Sequence, residues 1–497
     1  MKQQRFAKVF IWLFHLTYLR ETRLIAWRDI FPQDSNSMPQ DSRLRLQDSN
    51  PTHCQTTQNP QSPQTSQILK APKILPYTKA IRLDSTHRYL ALLSHRNGAL
   101  DGWVYGRFIP RFVFMMAKQL HKIWWLRVIF PGIAITRQKD DPLHYKKANL
   151  NALKTCVQAL QDRQILCIFP EGTSSLGHKH LPFEQGAARL AMMSQKASQK
   201  VHLEVASLHS PLYILPMSVF YDDPTLLGGR AFVVYNEPFI CPQDMDTEHL
   251  HALFSQKLEQ ILLEYDSQES QETAHFLASF LSSNTPFTDY YGNLIWFHSL
   301  QQAQDSQLSK LIHLTQTYRK TPLPTLYKNA PIYPQNFLLS LWTFSICLPI
   351  VAFSFLLNLP PLLCGNLVAK LFAKEKHTIS LWKAIVGYGV GFLWWGSICI
   401  ISGICGAFGV FDKLLDKLLA TLHIGFFAGL DSAFLDSILG CGLGILLSLI
   451  AYSFGIWGLK LYGAFKKHSI ALYNAMFHRK KFTMFKQFKT KLLEMLA

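Results

Sequence analysis

Three stretches in the last third of the chain carry no Asp, Glu, Lys or Arg: Phe337 to Leu357, Ala384 to Phe411 and Ser437 to Leu459. Each is long enough to cross a bilayer as a helix, which needs about 20 apolar residues. Residues 336–464 are therefore expected to form a multi-pass membrane region. Lys370, Lys374, Lys376 and Lys383 precede the second run, and Lys460, Lys466, Lys467, Arg479, Lys480 and Lys481 follow the third. Asp412, Asp416, Asp431 and Asp436 lie between, so these two runs read as a hairpin with its turn away from the cytoplasm. The first run has basic residues on both flanks, Arg319, Lys320 and Lys328 before it and the Lys370–Lys383 cluster after it. Asn358, Leu359, Pro360 and Pro361 can break a helix there. Two arrangements stay open. One is a re-entrant helix that returns through Leu362 to Phe372; the other is an ordinary span with Ala420 to Leu430 as a further short one.

The formal charge is +18 although only 16% of residues are charged, so the imbalance comes from scarce acids and clustered Lys and Arg. With long apolar runs beside it, such a charge points to an anionic membrane surface. No recognition motif, zinc-type Cys/His spacing or stacking-aromatic signature supports nucleic acid as a partner. The nine cysteines show no pairing pattern and read as free thiols in a reducing compartment. Residues 1–31 have basic positions and an apolar stretch interrupted by His15 and Thr17, without a small-residue cleavage site. An uncleaved amphipathic helix on the membrane surface is the expectation.

Residues 32–72 are rich in Gln, Ser, Asn, Asp, Pro and Thr, a composition that cannot offset ordering entropy by burial, and are expected to be a disordered insert. Over 73–245 short apolar runs alternate with helix-like stretches, the pattern of an α/β domain built on a sheet. Residues 246–335 read as a mostly helical, polar connecting region. Residues 465–497 mix Lys with Phe, Leu and Met and fit a basic amphipathic tail on an anionic leaflet, with a soluble packing helix as the other option.

Chemistry concentrates at apparent strand exits in 73–245. Leu93 to Asp101, LSHRNGALD, supplies His95, Asn97 and Asp101; Gly132 to Arg137, GIAITR, supplies an arginine; Phe169 to Ser175, FPEGTSS, supplies Glu171, Gly172 and Thr173. Leu181 to Ala188, LPFEQGAA, and Ile214 to Met217, ILPM, follow in order. Together these resemble the glycerolipid acyltransferases, the lysophosphatidate and glycerol-3-phosphate acyltransferase superfamily, over about residues 73–242.

The resemblance implies an α/β acyltransferase domain with a mixed sheet flanked by helices, followed by an α-helical membrane domain. It implies a His/Asp pair, here His95 and Asp101, in which the histidine takes a proton from an attacking hydroxyl and the carboxylate holds its tautomer. The family's common spacing is five and here it is six; Gly98 can absorb the extra residue as a tight turn. Alternatively Asn97 orients His95. Arg137 would bind the acceptor's phosphate through its planar donor fork. Glu171, Gly172 and Thr173 would contact the acceptor, and Pro216 would help shape the acyl pocket. Ser174 stands where the family commonly has Arg, and Glu184 where it often has Lys, which leaves the acceptor head group open.

His178 and His180 lack a carboxylate or cysteine at ligand spacing and read as loop residues, so no metal is expected. No Gly-x-Ser-x-Gly elbow argues for an acyl-enzyme. No cofactor is expected beyond the co-substrate, an acyl-CoA or acyl carrier protein thioester, and the partners are that carrier and membrane lipids. The expected activity is transfer of a fatty acyl chain to 1-acylglycerol 3-phosphate, or to glycerol 3-phosphate, at a cytoplasm-facing site. A catalytically silent membrane scaffold is the alternative of another class.

Overall fold

Strand residues alternate between two cores. In β2 (Arg88–Leu93) Leu90 and Leu92 enter one hydrophobic cluster while Tyr89, Ala91 and Leu93 enter the other. The strands β5 (Ile165–Ile168) and β7 (Gly229–Tyr235) divide their side chains in the same way. A period of two with both faces apolar is what a sheet covered on both sides requires. The computed structural model describes residues 7–9, 11–12, 14–15, 19–26, 81–121, 124–136, 141–202, 210–225, 229–285, 289–321, 323–327, 329–373, 375–407 and 432–496.

The remaining strands of the sheet are β1 (Leu19–Ala26), β3 (Phe112–Ala117), β4 (Gly132–Ile135), β6 (Leu212–Tyr221) and β8 (Phe239–Ile240). Their order is β1-β7-β6-β2-β5-β3-β4, with β8 beside β6. The pairs from β6 through β2, β5 and β3 to β4 are parallel, whereas β7 and β8 run antiparallel to β6. This is the mixed sheet expected of the region. Because β2 and β5 are parallel neighbours, the loops that leave their C-terminal ends emerge side by side.

The N-terminal segment departs from expectation. Residues 19–26 form a strand paired in parallel with β7 rather than the end of a surface helix. Upstream, Ala7, Ile11 and Phe14 are buried, Phe14 lying 5.0 Å from Trp103 between ring centroids. The segment is therefore held by the sheet's outer strand and by the core under α1 (Leu100–Gly106). The insert at 32–72 lies outside the described residues.

On the other face lie α2 (Leu150–Gln161), α3 (Gly186–His202) and α4 (Thr247–Glu259), followed by α5 (Gln268–Asn284), α6 (Tyr290–Gln302) and α7 (Ser306–Arg319). The region 246–335 is helical as expected but is no polar connector. Residues Tyr290 to Leu300 of α6 are all buried, and Tyr291 stacks on Phe232 of β7 at 5.1 Å. These helices complete the sheet's second core.

Among the described residues the apolar third contains the helices α8 (Phe337–Leu357), α9 (Leu359–Phe372), α10 (Ile379–Ala407) and α11 (Ser432–Phe477). Among the described residues three segments are long and apolar enough to cross a membrane, Phe337–Leu357, Lys376–Cys405 and Gly440–Phe477, with mean hydropathy of 2.0, 1.8 and 1.8. Leu338, Trp342, Leu393 and Ile400 are among many large side chains left exposed on them, a surface suited to lipid.

The helices α10 and α11 are antiparallel: an added Cβ at Gly403 would lie 2.6 Å from Cys441, and Trp395 packs on Tyr452. Helix α8 follows α11, with Phe344 against Phe465 and Phe353 against Phe454. Helix α9 instead follows α10, with Gly365 beside Gly387 and Phe372 against Trp382. Both therefore point away from their junction toward the same end of α10 and α11. The junction is Asn358, whose amide donates to the carbonyls of Ser354 and Ala451 at 3.0 and 3.1 Å and accepts from Trp395 Nε1 at 3.3 Å. The pair folds back on itself at Asn358, so the chain enters α8 and leaves α9 at the same end of α10 and α11. The segment Ala420 to Leu430 lies outside the described residues.

At about 1.5 Å per residue, the 46 residues of α11 extend roughly 69 Å. Its C-terminal part leaves the apolar zone, and Asn474 binds the carbonyls of Thr325 and Ile332. The last helix, α12 (Arg479–Leu496), turns its apolar face inward rather than toward a leaflet. Phe485, Phe488 and Leu492 are buried, and Phe488 stacks on Tyr318 of α7 at 4.2 Å. Of the two sequence readings of the tail, the packing helix is the one seen, because α5 and α7 offer an apolar groove that matches its stripe.

Candidate active site

The turn after β2 brings His95 and Asp101 together. Asp101, in the first turn of α1, is fully buried and accepts a hydrogen bond from His95 Nδ1 at 2.8 Å. The same carboxylate oxygen accepts from the backbone N–H groups of Arg96 and Asn97 at 2.7 and 2.8 Å, and the other accepts from Tyr221 Oη at 2.5 Å. A carboxylate so surrounded stays fixed, and it holds the proton on Nδ1. Nε2 is then left with its lone pair.

The extra residue in this loop is absorbed at Gly98, with φ +56°, a conformation that costs glycine little. The spacing of six therefore closes the pair, and the role considered for Asn97 falls to Asp101. Asn97 is buried and donates to the Pro224 carbonyl at 3.2 Å, tying the loop to the chain after β6 rather than facing a substrate.

Glu171 grips the histidine from behind. Its Oε1 accepts from the backbone N–H of His95 at 2.7 Å and its Oε2 from that of Leu181 at 3.2 Å. The Ser175 N–H donates to the His95 carbonyl at 3.2 Å, so both peptide groups of His95 are pinned by the turn after β5. Burial pushes the Glu171 carboxyl up to about 7, against the pull of its backbone donors, His95 and Arg96. The Arg96 guanidinium, also buried, donates to the carbonyls of Ser175 and Gly177. Glu171 is thus turned inward, not toward an acceptor.

His95 opens onto a cavity of about 430 Å³. Phe169 stacks on the imidazole at 4.3 Å between centroids. Trp103, Phe112, Phe114, Met116, Ile129 and Phe130 give the cavity an apolar wall over β3 and β4, while Thr173 and Ser174 supply polar edges. One wall comes from far down the chain: Glu375, His377, Thr378 and Leu381, in the turn between α9 and α10. The His377 carbonyl would lie 3.3 Å from a Cβ added at Gly98. Such a site combines a positioned base with room for a hydrophobic chain, in the size range of small-molecule pockets.

Residues 74–219 match the family profile described as acyltransferase. This segment is an acyltransferase domain. No curated protein matches the chain. Among solved structures, the 1-acyl-sn-glycerophosphate (LPA) acyltransferase PlsC from Thermotoga maritima is similar at 15% identity, covering 38% of this chain and 75% of that one, with a TM-score of 0.26.

Within the acyltransferase domain the other expected site residues fare differently. Gly172 has φ +66° and lines the cavity, but its N–H is spent on the Phe169 carbonyl and that of Thr173 on the Glu171 carbonyl. The glycine therefore serves the shape of the turn. Arg137 lies outside the described residues; the strand that leads to it is anchored where Asn149 exchanges two hydrogen bonds with the backbone of Thr136. Pro216 does not line the cavity. It pairs with Leu92 inside β6, on the far side of β2 from β3 and β4, and its carbonyl accepts from Asn236. The cavity is bounded by β3 and β4 instead.

Sequence reading missed Tyr221, Arg96 and the wall at 375–381. Tyr221 reaches Asp101 because β6, ten residues long, outruns the six of β2. His178 and His180 sit in the loop after the turn. His180 is held by Glu264 at 2.8 Å through its N–H and at 3.3 Å through Nδ1, and burial drops its imidazole to about 4.

Proposed function

We propose that the protein is a membrane-bound O-acyltransferase that moves a fatty acyl chain from a thioester, of coenzyme A or acyl carrier protein, to the free hydroxyl of 1-acylglycerol 3-phosphate. The observation that carries the reading is the His95–Asp101 pair opening into an apolar cavity whose far wall is the turn between two membrane helices. His95 Nε2 takes the hydroxyl proton as the acceptor oxygen attacks the thioester carbonyl. The tetrahedral intermediate then collapses, the C–S bond breaks, and the imidazolium returns its proton to the leaving thiolate. Asp101 offsets the transient charge on the ring. Thr173 and Arg137 are the groups assigned to the acceptor's head.

A lipid acceptor suits this placement, since its hydroxyl can come from the bilayer side while the carrier comes from water. Lys370, Lys376, Lys383, Lys460, Lys466 and Lys467 flank the apolar helices at the end that meets the acyltransferase domain. That bias supports a cytoplasmic position for this face. In this reading α10 and α11 cross the membrane, and α8 and α9 dip in and return.

The test is radiolabelled acyl transfer from acyl-CoA, and separately from acyl carrier protein, to lysophosphatidate or glycerol 3-phosphate, with wild type and His95→Ala. Product from lysophosphatidate that disappears in the variant is expected. Product from glycerol 3-phosphate alone would reassign the acceptor, and none from any pair with folded protein would favour a silent scaffold.

A further inference from the structure

A second hollow lies in the membrane region, between the pair α8 and α9 and the helices α10 and α11. It is a groove lined by Asn358, Gly365, Gly387, Gly455 and Leu459, with Lys383 at one end, and is partly open sideways. Gly365 and Gly455 let the helices approach closely, an added Cβ lying 3.1 Å from the Lys383 carbonyl and from Asn358 Nδ2, whereas at Gly387 an added Cβ would meet nothing nearer than the Pro361 carbonyl at 3.7 Å and the groove stays unfilled. Its walls belong to helices apolar enough for the hydrocarbon core, where water has no place and lipid chains are the available filler.

The end of the groove is cationic. Lys383 is half-buried and spends one of its donors on the Thr225 carbonyl at 2.9 Å, in the chain between β6 and β7. Its ammonium carries three donors. Lys370, exposed on α9, repels it, and Asp223 is the acid that attracts it. Phe372 packs on Trp382 at 5.7 Å, which sets Lys370 of α9 and Lys383 of α10 at the same end of the groove, and two lysines above an apolar slot fit a phosphate with an acyl chain hanging below it.

We propose that this groove binds an anionic glycerophospholipid, its phosphate between Lys370 and Lys383 and one acyl chain along the glycines of α9, α10 and α11. The site is separate from the cavity at His95, although α10 contributes to both. The inference goes beyond acyl transfer, and its test uses no acyl donor, so the two can fail independently.

The full chain is reconstituted in nanodiscs of phosphatidylcholine containing a small fraction of phosphatidate, and the lipids retained on release are identified by native mass spectrometry. Wild type is expected to retain one phosphatidate in preference to phosphatidylcholine. Lys370→Gln, at an exposed position, should weaken that preference about fivefold, and Lys370→Gln with Lys383→Gln further, at a typical contribution per lysine near a membrane surface. Gly387→Leu, which fills the slot, should abolish retention of either lipid. Equal retention of both lipids by wild type, or preference unchanged in the lysine variants, overturns the proposal. Retention unchanged in Gly387→Leu also overturns it, and a dimer seen in its place would assign the groove to a second copy of the chain.

Discussion

His95 Nδ1 and Asp101 Oδ2 stand 2.8 Å apart across a loop of five intervening residues, and the carboxylate has no solvent contact. His95, the Arg96 and Asn97 N–H groups and Tyr221 all donate to Asp101, so its carboxylate is held in one orientation by the fold. Asp101→Asn presents an amide where His95 expects an acceptor and favours the wrong ring tautomer. Turnover should fall about a thousandfold or more, as it does when the corresponding serine-protease aspartate is changed, with little change in acceptor KM. Tyr221→Phe removes only the donor to the far oxygen. It should cost roughly 1–3 kcal/mol of stability and a smaller part of the rate. Steady-state kinetics beside thermal melts separate the two effects.

Glu171 gives a pH-dependent stability. Its folded pKa is raised from 4.5 to about 7, chiefly by burial. Below about pH 4.5 the carboxyl is protonated in both states and contributes no pH dependence; between about 4.5 and 7 the unfolded chain releases its proton and the folded one retains it. Stability from this group therefore falls as pH rises through that window, by a total of roughly 3 kcal/mol, and is flat above it. Glu171→Gln keeps an acceptor for the His95 N–H without the titration. Relative to wild type, the variant should gain stability steadily from pH 5 to pH 7. Melting curves that shift in parallel at all four of pH 5, 6, 7 and 8 would contradict this.

What the sequence made legible was local. The turn FPEGTSS, the His/Asp pair and the alternation of β2, β5 and β7 are each carried by a few adjacent residues, and Gly98 announced how the longer loop could close. What stayed hidden depends on tertiary neighbours. Tyr221 is one apolar-strand tyrosine among others until β6 is seen to overrun β2. The wall at Glu375–Leu381 lies about 280 positions from His95 in sequence, and no pattern in either segment links them. Pro216 was misassigned because ILPM marks a strand correctly without saying which side of the sheet holds the space. The N-terminal segment reads as a membrane-surface helix, and the tail as either that or a packing helix, because both are apolar and basic. That composition serves equally well for Phe14 under Trp103 and Phe488 against Tyr318.

The tail supplies a stability prediction. Phe488 is 3% exposed, stacks on Tyr318 at 4.2 Å and meets Phe280 edge-on at 4.9 Å. Phe488→Ala should destabilise the protein by roughly 3–5 kcal/mol, the usual range for emptying an aromatic core site. Lys486, whose ammonium lies 5.3 Å over Phe482 on the outer side, tolerates replacement by Gln with a change below about 0.5 kcal/mol. If the tail were instead a membrane-surface anchor, the two substitutions would differ in vesicle binding and not in melting temperature.

The helix pair folded back at Asn358 makes a topological prediction. With the junction at Asn358 pinned to Ala451 and Trp395, the chain before α8 and the chain after α9 emerge at one end of the helix bundle. Cysteines introduced at Gln335 and Lys376, in a background with the native cysteines replaced, should both react with a membrane-impermeant maleimide from the side that carries the acyltransferase domain. An ordinary span would separate them, leaving one labelled only after the vesicles are opened. Asn358→Leu keeps the helix lengths but removes two donors and an acceptor from the hydrocarbon zone, where unpaired carbonyls are costly. In that variant the labelling at Lys376 should become heterogeneous while that at Gln335 stays one-sided, because α8 retains its long contact with α11 from Phe344 to Phe353.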